Sequence, residues 1–177
     1  MRLGLSMQLA IDLGVPLTRA SAKQINSGLA MPRTDSPDID VRPFAERDRK
    51  AVISLWHRCE LTRPWNDPDT DIDLATACPS STILVGEHEG AIIASAMVGF
   101  DGHRGWVYYL AVDPDSHGKG HGRRMMCAAE AWLASCGAPK IELMIRNDNR
   151  QALGFYETLG YQPQQVSVMA KRLDGRE

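Results

Sequence analysis

The chain has 177 residues, 44% of them apolar and 24% charged, which fits one domain with a sizeable core and excludes disordered and fibrous classes. Lysine and arginine number 20 against 22 acidic residues, a net charge of −2 with no basic run, and this argues against a nucleic-acid partner.

The opening segment "MRLGLSMQLAIDLGVPL" starts like a secretion signal, but Gln8 and Asp12 interrupt it and it is too short to span a bilayer. No membrane partner is expected. "SGLAMPRTDSPDID" then reads as a linker rich in Ser, Pro and Asp. Residues 1–38 therefore read either as an extension, with Met31 as an alternative beginning, or as a helix that packs on the domain of residues 39–177.

"IDVRPF" alternates apolar and polar residues and predicts a first strand. From Glu46 to Cys59 the apolar residues Val52, Ile53, Leu55 and Trp56 recur at helical spacing. After a loop, Asp67 before Pro68 gives a helix start with cap and N1 proline in order. "STILVGE" and "AIIASAMVGF" predict two strands around His88-Glu89-Gly90. "DGHRG" is a second turn, and "WVYYLAV" reads as a strand buried on both faces. "HGKGHG" leads into a helix to about Ser135. "KIELMI" is a further strand, "NRQALGFYETLG" a helix stopped by Gly160, and "YQPQQVSVMAKRL" supplies at least one closing strand. The order means one mixed sheet covered by helices.

The four cysteines, Cys59, Cys78, Cys127 and Cys136, form no C-x-x-C pair and match no zinc pattern. His57 lies two residues before Cys59 on a helix, where the two side chains point to different faces. The thiols read as reduced ones in a cytoplasmic protein, with no metal expected.

A strand, a glycine-rich turn and a helix start place several free backbone N–H groups at the positive end of a helix dipole. Glycine keeps side chains off the approaching oxygens and permits φ > 0. Lys119, Arg123 and Arg124 add positive charge close by. The expected ligand is a phosphate or pyrophosphate. The stretch lacks the glycine–lysine–hydroxyl run of a nucleotidase loop and does not open a βαβ unit.

His117-x-x-Gly120-x-Gly122, directly after "LAVDPD", resembles the acyl-CoA loop of the GNAT family of N-acetyltransferases. Asn149, Ala152, Phe155, Tyr156, Gly160 and Tyr161 resemble the family's second signature. The resemblance covers roughly residues 39–173, and "LTRPWNDPDTDI" and "DGHRG" further resemble a branch of small bacterial acetyltransferases. It implies an α/β (α+β) fold: a mixed, mostly antiparallel sheet of six or seven strands flanked by about four helices. It also implies acetyl-CoA as co-substrate, a small-molecule or peptide amine as acceptor, and a homodimer as one assembly open to it.

By the same resemblance, Leu110, Ala111 and Val112 pair through their backbone with the pantetheine arm, with an N–H near Leu110 holding the oxyanion. Gly118, Lys119, Gly120, His121, Gly122 and Arg123 cradle the pyrophosphate, and Asn149 bonds the pantetheine. Tyr156 is the implied general acid. The family's base carboxylates fall on Trp106 and Met144, so the acceptor either arrives neutral or is linked by water to Glu60, Asp101, His103 or Tyr108; Glu142 is out of register. His117 stands for the usual Arg or Gln, and His121 for an aliphatic residue. Trp65 and Asp67 are candidate contacts for the acceptor, while Asp69, Asp71 and Asp73 read as helix-dipole acids. A non-catalytic acyl-CoA sensor and a nucleotide-binding module are the alternatives to an enzyme.

Overall fold

The structure is a computed structural model that describes residues 39–173. Both readings of residues 1–38, and the alternative start at Met31, lie outside the described residues. In chain order come β1 (Asp40–Pro43), a 3-10 turn (Glu46–Asp48), α1 (Arg49–Arg58) and α2 (Pro68–Ala77). The meander β2 (Ser81–His88), β3 (Ala91–Phe100) and β4 (Gly105–Val112) follows, and a second 3-10 turn (Pro114–Ser116) leads to α3 (His121–Ser135). β5 (Ile141–Glu142) and α4 (Arg150–Thr158) complete the described elements. The sheet runs β1-β2-β3-β4-β5, antiparallel except for the parallel β4–β5 pair.

Local chemistry sets these elements. Glu89 (φ 49°) and Gly90 (φ 80°) give the β2–β3 hairpin two left-handed central residues, the pattern whose twist matches the strands. Asp67 caps α2, accepting from Asp69 N at 3.2 Å and from the Thr70 hydroxyl at 2.6 Å, with Pro68 at the first helical position. The alternation of β2 and β3 then divides the core. Ile83 and Val85 face α1 and α2, with Trp56, Leu55 and Ile72. Leu84, Ala94, Ala96 and Val98 face α3, with Met125, Met126 and Leu133. Each fully buried large side chain of this kind contributes about 1.5–3 kcal/mol.

The fold class agrees with the sequence reading, and the strand count does not. Among the described residues the sheet has five strands rather than six or seven. Only Ile141 and Glu142 of "KIELMI" pair, with Gly105 and Trp106. The expected closing strand over residues 161–173 is absent. Pro163 withholds a donor there, and Val166, Val168, Met169 and Leu173 are all exposed, so the alternating pattern has no face to bury. β4 is not buried on both faces either: Tyr108 is exposed, and its strand has no neighbour on the outer side beyond Trp106 among the described residues.

Candidate active site

β4 carries the irregularity that makes the site. Its register with β3 shifts so that Tyr109 and Leu110 together oppose Ala96, a β-bulge in which Tyr109 takes φ 49°. For a bulky residue this left-handed backbone costs on the order of 1–3 kcal/mol and needs surroundings that hold it. The ring of Tyr109 stacks on Trp56 with centroids 4.1 Å apart. Trp56 Nε1 donates to Ser95 Oγ at 2.9 Å, and that hydroxyl reaches the Tyr109 carbonyl at 3.5 Å. The Tyr109 hydroxyl donates to Asp71 Oδ2 at 2.6 Å and accepts from Asn66 Nδ2 at 3.2 Å. α1, β3 and α2 thus all grip the bulge.

The bulge also turns side chains over. Val107 and Leu110 pack on the α3 side, while Tyr109 and Ala111 pack on the side of α1 and α2. Tyr108 and Tyr109, consecutive in sequence, consequently line the same cleft.

The glycine turn lies just beyond β4. Arg58 pairs with Asp113 at 2.6 Å, and Asp113 caps the 3-10 turn by accepting from Asp115 N at 3.1 Å. Gly118 (φ 75°) and Gly120 (φ 82°) are left-handed, and nothing lies within 4 Å of a Cβ placed on Gly118. Gly120 is the N-cap of α3 and no side chain caps that end, so the first-turn amides have neither a helical nor a side-chain acceptor. This arrangement fits a pyrophosphate. Gly122 serves packing instead: a Cβ there would meet Phe155 Cζ at 3.1 Å. Lys119 is exposed, its Nζ 3.0 Å from the Asp115 carbonyl, and Arg123 reaches the Thr158 carbonyl at the end of α4 at 3.4 Å. Arg124 turns away from the loop and donates to the Ile39 carbonyl at 2.9 Å.

The two loop histidines do different things. His117 Nε2 sits 2.8 Å from the Val112 carbonyl, which also accepts from the Cys59 thiol at 3.2 Å, so that carbonyl is already committed within the protein. His121 is buried under the helix start, where desolvation lowers its pKa, with His88, Lys119 and Arg124 adding to the effect.

Asn149 caps α4, its Oδ1 accepting from Ala152 N at 3.0 Å. Tyr156, one turn into α4 beyond Ala152, joins the α3-side cluster together with Leu110 and packs edge-on to Phe155 and Tyr161. Burial pushes its pKa up to about 12. Trp65 is exposed, its carbonyl contacted by Arg172 at 3.5 Å.

The residues weighed as bases are largely spoken for. Asp101 accepts from Arg104 N, Trp106 Nε1 and His103 N, which hold its pKa down to about 2. Lys140 chiefly, and Arg104, lower that of Glu142. Sequence reasoning missed Asp71 and Tyr109. Asp69 and Asp73, four apart, both bond Arg49, whereas Asp71 faces Tyr109. The signal available was helical phase, since the middle acid of an i, i+2, i+4 run points away from the other two. Among the described residues no group of His, Cys, Asp and Glu side chains could hold a metal ion, all four cysteines are free, and no helix is long and apolar enough to cross a membrane.

An uncapped helix start beside a bulged strand, on a mostly antiparallel five-stranded sheet among the described residues, defines the α/β class of the fold. Residues 50–161 match the Acetyltransferase (GNAT) family. An acetyltransferase of Pectobacterium atrosepticum is 44% identical over 135 residues, 76% of this chain and 96% of that protein. One of Yersinia enterocolitica is 42% identical over the same shares. In fold, the chain is similar to AAC(6')-Iy in complex with the bisubstrate analog CoA-S-monomethyl-acetylneamine, with TM-score 0.66, 15% identity, and 76% and 98% of the two chains covered. It is also similar to glucosamine-6-phosphate N-acetyltransferase from Arabidopsis thaliana, with TM-score 0.62, 22% identity, and 77% and 99% covered. The chain belongs to the GNAT family and is an acetyl-CoA-dependent N-acetyltransferase.

Proposed function

We propose that the protein moves the acetyl group of acetyl-CoA to a primary amine by direct attack, on the domain of residues 39–177. The observation that carries this reading is the bulge at Tyr109 and Leu110, on the strand that precedes the uncapped α3 start, with Leu110 packed in the cluster that also holds Tyr156. The thioester supplies an activated acyl carbon and a thiolate leaving group.

The chain's own residues do the rest. The amides of Gly118, Lys119, Gly120, His121, Gly122 and Arg123, with the Lys119 charge, hold the pyrophosphate. The open edge at Leu110 and Ala111 aligns the pantetheine arm as an added strand, beside Val112, and the amide group of Asn149 bonds it. The Leu110 N–H faces the carbonyl oxygen on which negative charge develops as the amine lone pair forms the C–N bond. As the C–S bond breaks, Tyr156 gives its phenolic proton to the sulfur and the amine's excess proton leaves to water. Burial keeps this phenol in its protonated, donating form at neutral pH, and the phenolate regains its proton from water. Trp65 and the loop before α2 border the acceptor.

The test is an amine panel with acetyl-CoA and detection of free thiol. Thiol release that depends on the amine, with equimolar amide formed, is expected. Coenzyme A bound without thiol release on any amine would leave an acyl-CoA sensor instead.

A further inference from the structure

The cleft on the α2 side of the bulge has a volume of about 420 Å³ and is lined by Asn66, Asp71, Leu74, Met97, Tyr108 and Tyr109 among others. Asp71 carries the one formal charge among the described residues that line it. The acids on either side of it are drawn away by Arg49, at 3.1 Å from Asp69 and 2.6 Å from Asp73. Asp71 itself, half-buried, takes the Tyr109 hydroxyl on Oδ2, and no described cation pairs with it.

A half-buried carboxylate beside two phenol rings complements an ammonium group, by charge and by cation–π contact. A nitrogen held by Asp71 stays protonated and has no lone pair to attack with. The attacking nitrogen must therefore be a second one, at the bulge one tyrosine side chain away. We propose that the acceptor is a diamine: one ammonium rests on Asp71 between Tyr108 and Tyr109 while the other amine, neutral, meets the acyl carbon. This rests on the acetyl-transfer reading above and names its substrate class. The attacking lone pair forms the C–N bond, the C–S bond breaks, and the proton shed by the new amide nitrogen goes to water; the ammonium on Asp71 keeps its own.

The experiment compares 1,5-diaminopentane with pentylamine in thiol release from acetyl-CoA, on the wild type and on Asp71→Asn. Asparagine still accepts the Tyr109 hydroxyl, so the bulge keeps its support. The same diamine is also titrated by calorimetry into both proteins loaded with CoA. For the wild type, kcat/KM should favour the diamine by about tenfold or more. Asp71→Asn should abolish that preference through KM while sparing the KM for acetyl-CoA. Equal kcat/KM for the two amines on the wild type, or a preference that survives in Asp71→Asn, overturns the inference and leaves acetyl transfer standing. Diamine binding that is lost in Asp71→Asn, with no thiol released from either amine, overturns the acceptor assignment, because the acetyl-transfer reading beneath it has then failed. No diamine binding and no preference overturns it.

Discussion

Tyr156 and Tyr109 are both phenols in partly buried surroundings, and their partners divide their roles. The Tyr109 hydroxyl is fixed between Asp71 and Asn66, so its proton is committed to a neighbouring carboxylate. Tyr156 has ring contacts but no hydroxyl partner among the described residues, and burial alone raises its pKa. Replacing Tyr156 with Phe should lower kcat by about 10²-fold while leaving the Kd for CoA unchanged, since a positioned acid contributes roughly 10²–10⁴. Wild-type turnover in the Phe variant would remove the assignment. Because the neutral phenol is favoured in the fold, the alkaline limb of the wild-type kcat profile should stay absent to about pH 10, where an unperturbed tyrosine would already ionise. The placing of Asn149, Phe155 and Tyr156 on one helix was legible in the sequence because helical spacing is local, and their roles were implied by resemblance alone. Asp71 was not legible, since its partner is 38 residues away and only packing brings the two together.

At the scale of elements, the bulge of β4 is a strained device kept in place by its neighbours. Ser95 is the smallest part of that clamp, fully buried and bridging Trp56 Nε1 to the Tyr109 carbonyl. Ser95→Ala would leave a buried indole N–H unpaired, which costs about 1–3 kcal/mol. Thermal melting should register that loss. Steady-state kinetics should show kcat falling more than the KM for acetyl-CoA rises, because the Leu110 N–H is mis-aimed while the anion turn is untouched. A kcat equal to wild type at the same melting loss would reduce Ser95 to a core residue. The glycines divide in the same way. Gly118 and Gly120 answer to backbone conformation, Gly122 to the approach of Phe155, although all three stand in one short motif.

For the whole molecule, acid sensitivity should come in two windows. His121 is buried with its pKa lowered, so the unfolded chain binds the proton more readily and stability falls as pH drops below the ordinary histidine value of about 6.5. Asp48, joined to Arg42 at 2.6 and 2.9 Å, has its pKa lowered chiefly by that pairing. Its contribution is present above the ordinary aspartate value of about 3.9 and is lost as pH falls through the lower folded one. Melting temperature followed from pH 8 to pH 3 should show both declines. His121→Leu should erase the first and Arg42→Met the second. A His121→Leu protein that loses stability below pH 6.5 as steeply as wild type would show that another group governs the first window.

The sequence by itself determined the element order as far as α4, the α/β class and the glycine turn before α3, because these depend on short-range periodicity, caps and glycine backbone freedom; the family signatures were read by resemblance. It did not determine the extent of the sheet. The apolar alternation of residues 161–173 and of "KIELMI" predicts strands, but a strand exists only where a neighbour offers a matching edge, and β5 finds one for two residues. Only the tertiary structure decided the bulge, since placing Tyr109 and Leu110 together opposite Ala96 follows from how β3 and β4 pair. The same packing sent Asp69 and Asp73 to Arg49 and Asp71 to the cleft, turning one acidic run into two surfaces of different use.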